Sequence, residues 1–167
     1  MEAKPEVIPP LHFRPLRLRD AQAIAMWQYD GAYAFYNFGQ FGPRIVALFQ
    51  PILRYIGAGY YAVEQAPGDL IGVFSFHKQG STVTIGLGMR PTLTGRGSGL
   101  EFVRAGLRFG RNRYAPEVFR LTVATFNRRA IRVYERAGFV SGRRFIQHAR
   151  GRPQEFMEMI RPAKLPL

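Results

Sequence analysis

A strand that runs into a glycine-rich turn and then into a helix constrains this chain more than any other feature. Residues 85–107 read I-G-L-G-M-R-P-T-L-T-G-R-G-S-G-L-E-F-V-R-A-G-L. The apolar run reaches Met89, and Arg90-Pro91 ends it, since proline cannot donate to a ladder. Thr94-Gly95-Arg96-Gly97-Ser98-Gly99 then makes a tight loop. From Leu100 the spacing turns helical, with Leu100, Val103 and Leu107 at i, i+3 and i+7. Glycine lets a backbone approach a ligand closely, and the first N–H groups of a helix point outward at its positive end. The stretch predicts a cradle for a phosphate-bearing cofactor.

The flanking residues show what surrounds that cradle. Residues 12–19 alternate and predict a first strand, with Asp20 as the N-cap of a helix over 21–28. Five aromatics follow in ten residues, from Tyr29 to Phe38. They suit either core packing or the wall of a small-molecule pocket. Residues 44–53 predict a second helix, broken near Pro51. Residues 60–65, 70–78 and 82–89 form an antiparallel meander, because tight turns at Pro67-Gly68-Asp69 and Gly80-Ser81 join them. After a helix over 98–113, residues 119–125 form a strand parallel to 82–89 by the right-handed crossover rule. Asn127 caps a helix to about Ala137, Gly138 ends it, and two strands close the chain at 143–149 and 154–161. The order β-α-α-β-β-β-α-β-α-β-β predicts an α+β fold with a mixed sheet, in one domain spanning 1–167 with a loose tail over 1–10.

Charge is distributed unevenly. Residues 1–89 hold 7 Lys+Arg against 6 Asp+Glu, and residues 90–167 hold 17 against 5, so the net +13 lies almost wholly after the loop begins. Such a field favours capture of a polyanion. Nucleic acid is the rival ligand, but the aromatics cluster in the near-neutral half instead of interleaving with arginines, which argues against base-stacking platforms. The chain has no cysteine, which excludes disulfides, thiolate metal sites and cysteine nucleophiles. Its first residues are polar, and no run approaches the ~20 apolar residues of a membrane helix. We expect a cytoplasmic protein without a secretory leader, a membrane partner, a nucleic-acid partner or a metal.

The loop alone leaves several phosphate ligands open. It lacks the G-x-G-x-x-G spacing of dinucleotide folds and the G-x-x-x-x-G-K of P-loops. A second constellation narrows the choice. Asn127, Ala130, Tyr134, Gly138 and Phe139 give N-x-x-A-x-x-x-Y-x-x-x-G-F, and Ala130 and Tyr134 share a helix face. Two parallel neighbouring strands ending near a phosphate loop define a cleft at their carboxyl ends.

With both motifs in place, the chain resembles the GNAT acyl-CoA N-acyltransferases, most closely over 81–145. The family's loop pattern is Gln/Arg-x-x-Gly-x-Gly/Ala; here Thr94 departs at the leading position, while the small positions are kept. The resemblance implies a GNAT-type sheet, mostly antiparallel and twisted, with a parallel pair splayed around the cofactor cleft. It implies acetyl-CoA as acyl donor and an amine as acceptor. The pyrophosphate would rest on Gly95, Arg96, Gly97, Ser98, Gly99 and Leu100, after Thr94. Leu87, Gly88 and Met89 would pair with the pantetheine arm and polarise the thioester carbonyl. Asn127 would hold the arm, and Tyr134 would protonate the leaving thiolate as general acid. Arg96, Arg128, Arg129 and Arg132 flank the site. Family members dimerise through late strands, so a homodimer through Phe145, Ile146, Phe156 and Met157 is expected.

The attacking amine must also lose a proton, and here the chain departs from the family. Neither the strand Thr82–Gly86 nor Arg120–Val123 carries a carboxylate. Glu64, His77, Tyr36 and a water chain all stand as candidate bases. The missing carboxylate also keeps open a non-catalytic acyl-CoA-binding module on the same fold.

Overall fold

The computed structural model describes residues 10–37, 58–149 and 151–167. The helix expected at 44–53, most of the N-terminal tail and Phe38 lie outside the described residues. Seven strands form one sheet in the order β1-β2-β3-β4-β5-β7-β6. They are β1 (His12–Pro15), β2 (Tyr60–Glu64), β3 (Leu70–Gln79), β4 (Thr82–Met89), β5 (Val118–Ala124), β6 (Val140–Ala149) and β7 (Arg152–Pro162). Every pairing is antiparallel except β4 with β5. The helices are α1 (Leu18–Ala25), α2 (Gly99–Tyr114) and α3 (Arg128–Arg136), and a 3₁₀ helix spans Gly31–Tyr36. None is long and apolar enough to cross a membrane among the described residues.

The meander and crossover form as their patterning predicts, with β4 spanning the same residues. Helix α2 is the connection that makes β4 and β5 parallel. It packs on the sheet through three glycines that receive phenylalanine rings. An added Cβ at Gly106 would lie 2.2 Å from the Phe74 ring, and at Gly110 2.7 Å from Phe76. On the strand side, Gly72 receives Phe102 of α2 at 2.3 Å. Phe74, Leu107, Phe119 and Met159 are fully buried at this interface.

The start of the chain differs from expectation. β1 stops at Pro15, and α1 begins at Leu18, so Asp20 lies in the first helical turn and is not the N-cap. Its carboxylate accepts the Arg17 N–H at 2.8 Å and is gripped by Arg14 at 2.6 Å. Arg14 also holds Glu64 at 2.6 Å, from the paired strand β2. Two carboxylates therefore share one guanidinium, in a position where all three side chains are mostly buried. The arginine holds both carboxyl groups below the usual range.

At the other end, Arg161 on β7 is fully buried. It donates to the carbonyls of Ala137 at 2.6 Å, Leu165 at 2.9 Å and Pro166 at 2.7 Å. Burial pulls its guanidinium downward. This cation ties the end of α3 to the C-terminal residues through backbone carbonyls, that of Ala137 standing at the negative end of the helix.

Candidate active site

Strands β4 and β5 pair only over Thr82–Thr84 with Val118–Arg120. Beyond that, β4 stays in register with β3 to Met89, and β5 stays with β7 to Ala124. Each strand follows its antiparallel partner, so the sheet's twist opens the parallel pair into a wedge. Residues 85–89 and 121–124 line a cavity of about 750 Å³ in that wedge, within the range of ligand sites. One backbone edge of β4 there has no strand beside it among the described residues.

The mouth of the cavity is the glycine loop and the start of α2. Gly95 and Gly97 have φ of +76° and +84°, a region in which side-chain-bearing residues are strained. Ser98 stands at the N-cap of α2 but makes no side-chain cap. Its hydroxyl donates instead to the Leu93 carbonyl at 3.3 Å. The leading N–H groups of α2 are thus left for a ligand, at the positive end of the helix. Of the twelve residues expected to bind cofactor, Leu87, Gly88, Met89, Thr94, Gly95, Gly97, Gly99, Leu100, Asn127 and Tyr134 line the cavity, whereas Arg96 and Ser98 do not. Of the four flanking arginines only Arg129 lines it. Its guanidinium stacks 4.2 Å above the Tyr33 ring, and one nitrogen lies 3.8 Å from the Cβ position of Gly95.

Helix α3 forms the second wall. Asn127 caps it by accepting the Ala130 N–H at 3.2 Å, and its amide donates to the Tyr36 hydroxyl at 3.1 Å. Tyr134 lies two turns further on and is only 9% exposed. Its ring packs edge-on against Phe139 with centroids 6.0 Å apart. Burial, with a smaller contribution from nearby Tyr36, pushes its phenol well above the ordinary value. At neutral pH the phenol is therefore protonated.

The aromatic run over 29–37 does both of the things its composition allows. Phe35 packs on Phe126 and Phe156, at 5.4 Å and 6.4 Å between centroids. Tyr29, Tyr33 and Tyr36 line the cavity, and Tyr29 donates to the Met89 carbonyl at 2.8 Å. Burial raises Tyr29 to about 12 and raises Tyr36 as well, the latter opposed by the Asn127 hydrogen bond.

The expected bases do not converge on the cavity. Glu64 lies outside its lining and is ion-paired to Arg14. His77 is exposed on β3, opposite Thr84, and is also outside. Tyr36 alone of the named side chains is inside. Trp27 and Arg136 line the cavity although no sequence motif marks them, and so does Phe156, which the family resemblance assigns to a dimer face. Trp27 follows the end of α1 and Phe156 sits on β7, so only tertiary folding brings them to the wedge.

A mixed sheet whose parallel pair splays open beside a glycine-turned helix is the architecture of an acetyltransferase domain. The chain belongs to the GNAT acetyltransferase family: the model of that acetyltransferase (GNAT) domain matches residues 11–140. Solved structures share the fold. A chimera of spermidine N-acetyltransferase from Vibrio cholerae superposes with a TM-score of 0.75 at 21% identity, over 92% of this chain and 96% of that chain. The spermidine N-acetyltransferase of Vibrio cholerae in complex with CoA and spermine gives 0.74 at 20% identity, with the same coverage. A GNAT-family acetyltransferase from Bacillus anthracis gives 0.73 at 18% identity, over 95% and 98%. No curated protein matches the chain in sequence.

Proposed function

We propose that the protein is an N-acetyltransferase that passes the acetyl group of acetyl-CoA directly to a primary amine while both are bound. The observation that carries this reading is the wedge itself. A β4 edge without a neighbouring strand, an uncapped helix N-terminus and a buried tyrosine all face one cavity. The residues present suit coenzyme A. Gly95 and Gly97 supply a turn that a pyrophosphate can approach, with Arg129 beside it. The free edge at Leu87–Met89 suits an amide-containing arm, which would hydrogen-bond as an added strand does.

In this reading a backbone N–H of β4 stabilises the oxyanion that forms as the amine attacks. Loss of one such donor typically costs about 3 kcal/mol. Tyr134 protonates the departing thiolate. Its raised pKa keeps the phenol protonated until the sulfur takes the proton.

Initial rates measured while acetyl-CoA and amine are both varied test the direct transfer. Lines intersecting in a double-reciprocal plot are expected, and parallel lines would show an acyl-enzyme. The alternative, an acyl-CoA-binding module without turnover, draws on the lack of any carboxylate or histidine in the lining among the described residues. It predicts acetyl-CoA binding with no thiol release on any amine panel.

A further inference from the structure

We propose that the acceptor is a weakly basic amine on a flat apolar body, delivered to the site already uncharged, and not a polyamine or lysine-type alkylammonium. This deepens the N-acetyltransferase reading above and rests on it.

The first support is where the acids are. Asp20 and Glu64 are held by Arg14, Asp69 by Arg90 and Glu101 by Arg104. Glu158 and Glu155 lie beside Arg120 and Arg144. Glu117 and Glu135 are exposed and outside the cavity. Asp30 is exposed at a small adjoining recess that it shares with Arg129. No carboxylate lines the main cavity among the described residues. Of the residues that are not described, 38–57 contain no Asp, Glu or His in sequence, and 1–9 contain Glu2 and Glu6. The charged groups that do line the cavity are two cations, Arg129 and Arg136. A bound ammonium would lose its water without gaining an opposite charge. Aromatic faces attract cations, but Arg129 already occupies the face of Tyr33 at 4.2 Å.

The second support is proton balance. When a free amine attacks, the N–C bond forms, the C–S bond breaks, and the amine's surplus N–H proton equals the one the thiolate needs. Tyr134 donates to sulfur and the amine's surplus proton restores its phenol, directly or through water, so no proton is left over. An alkylammonium carries one more, which a base must remove. Among the described residues the ionisable groups facing the cavity are the two arginines and the tyrosines at 29, 33, 36, 60 and 134. Burial raises Tyr29, Tyr36 and Tyr134, so these stay protonated. The remaining walls, with Trp27 and Phe156, suit a flat ring.

Thiol release from acetyl-CoA by the full chain distinguishes the classes, with p-toluidine, its isomer benzylamine, and spermidine as acceptors. At pH 7, kcat/KM for p-toluidine should exceed that for either alkylamine by about tenfold or more. The gap to benzylamine should close by about tenfold per pH unit as its free fraction rises. Faster turnover of spermidine at pH 7 would overturn the acceptor class while leaving acetyl transfer intact. So would a benzylamine profile that levels off well below its own pKa, because that reports an enzymic base. Bound acetyl-CoA with no thiol release from any of the three would overturn the acetyltransferase reading itself, and the acceptor class with it.

Discussion

Replacing Asn127 separates the two tasks that its side chain performs at the edge of the cavity. Its oxygen accepts the Ala130 N–H and starts α3, and its nitrogen donates to the Tyr36 hydroxyl. Asn127→Ala removes both. An N-cap lost to alanine costs about 1 kcal/mol, and the hydrogen bond to Tyr36 about another 1 kcal/mol. For a chain of this size each kcal/mol lowers Tm by about 2–4 °C, so a fall of about 4–8 °C is expected. Asn127→Ser keeps a capping oxygen but is too short to reach Tyr36, so it should recover about half of the loss. The kinetic readout should not follow the melting point. Both variants remove the Asn127 contact that fixes the Tyr36 hydroxyl at the cavity wall, so both should raise KM for the acceptor by a similar factor. Differential scanning fluorimetry and steady-state kinetics on the two variants provide the test. An unchanged Tm in the alanine variant would refute the cap, and full recovery of acceptor KM in the serine variant would refute the role of the Tyr36 contact.

Other perturbations probe separate parts of the structure. Tyr134→Phe should reduce kcat by about 10²–10⁴-fold with little change in acetyl-CoA affinity; an unaltered kcat removes the proton-donor role. Arg14→Met leaves Asp20 and Glu64 as buried, unpaired carboxylates and should cost about 3–5 kcal/mol near pH 7. In the wild type both carboxyl groups are lowered, so their stabilisation holds above the unfolded carboxylate range, about pH 4, and fades on acidification. In the variant their pKa values should instead rise above the unfolded ones. Its stability should then increase as pH falls from neutral, and melts across that range would expose the wrong sign if the triad were unimportant. Gly106→Ala should destabilise even though alanine is the better helix former by about 1 kcal/mol. Its Cβ would meet the Phe74 ring at 2.2 Å, and overpacking costs about 1–3 kcal/mol. A raised Tm in urea-free melts would show that α2 can move off the sheet freely.

The sequence revealed those parts of the fold that local rules govern. β4 could be bounded because Gly80-Ser81 and Arg90-Pro91 punctuate it on both sides. The crossover's handedness made β4 and β5 parallel, and Asn127 was recognisable as a cap by its type and position. Asp20 was misread for the complementary reason. An aspartate ahead of an apolar run looks like an N-cap, but its partner Arg14 is six residues back and Glu64 is on another strand. The same distant pairing engages Glu64 away from the cavity lining. Gly72, Gly106 and Gly110 could not be read as seats for phenylalanine rings, since the rings come from other elements. Nor could Arg161 be read as buried, because arginine is rarely enclosed and its partners are backbone carbonyls that no residue type announces. The parallel pair itself implies a cleft at its carboxyl ends, whereas the splaying of the pair is implied only through the family resemblance. It follows from where pairing stops, after Thr84 and Arg120, and no residue marks that point in the sequence.

The claim at the centre is that the wedge between β4 and β5, entered past Gly95 and Gly97, receives acetyl-CoA. Isothermal titration of the full chain with acetyl-CoA tests it most directly. Binding of about one molecule per chain is expected. Gly97→Glu should abolish it, because at φ +84° the loop must distort to take a side chain and the new carboxylate would repel a pyrophosphate. No heat with acetyl-CoA or CoA, or equal affinity in the glutamate variant, would contradict the assignment of this cavity.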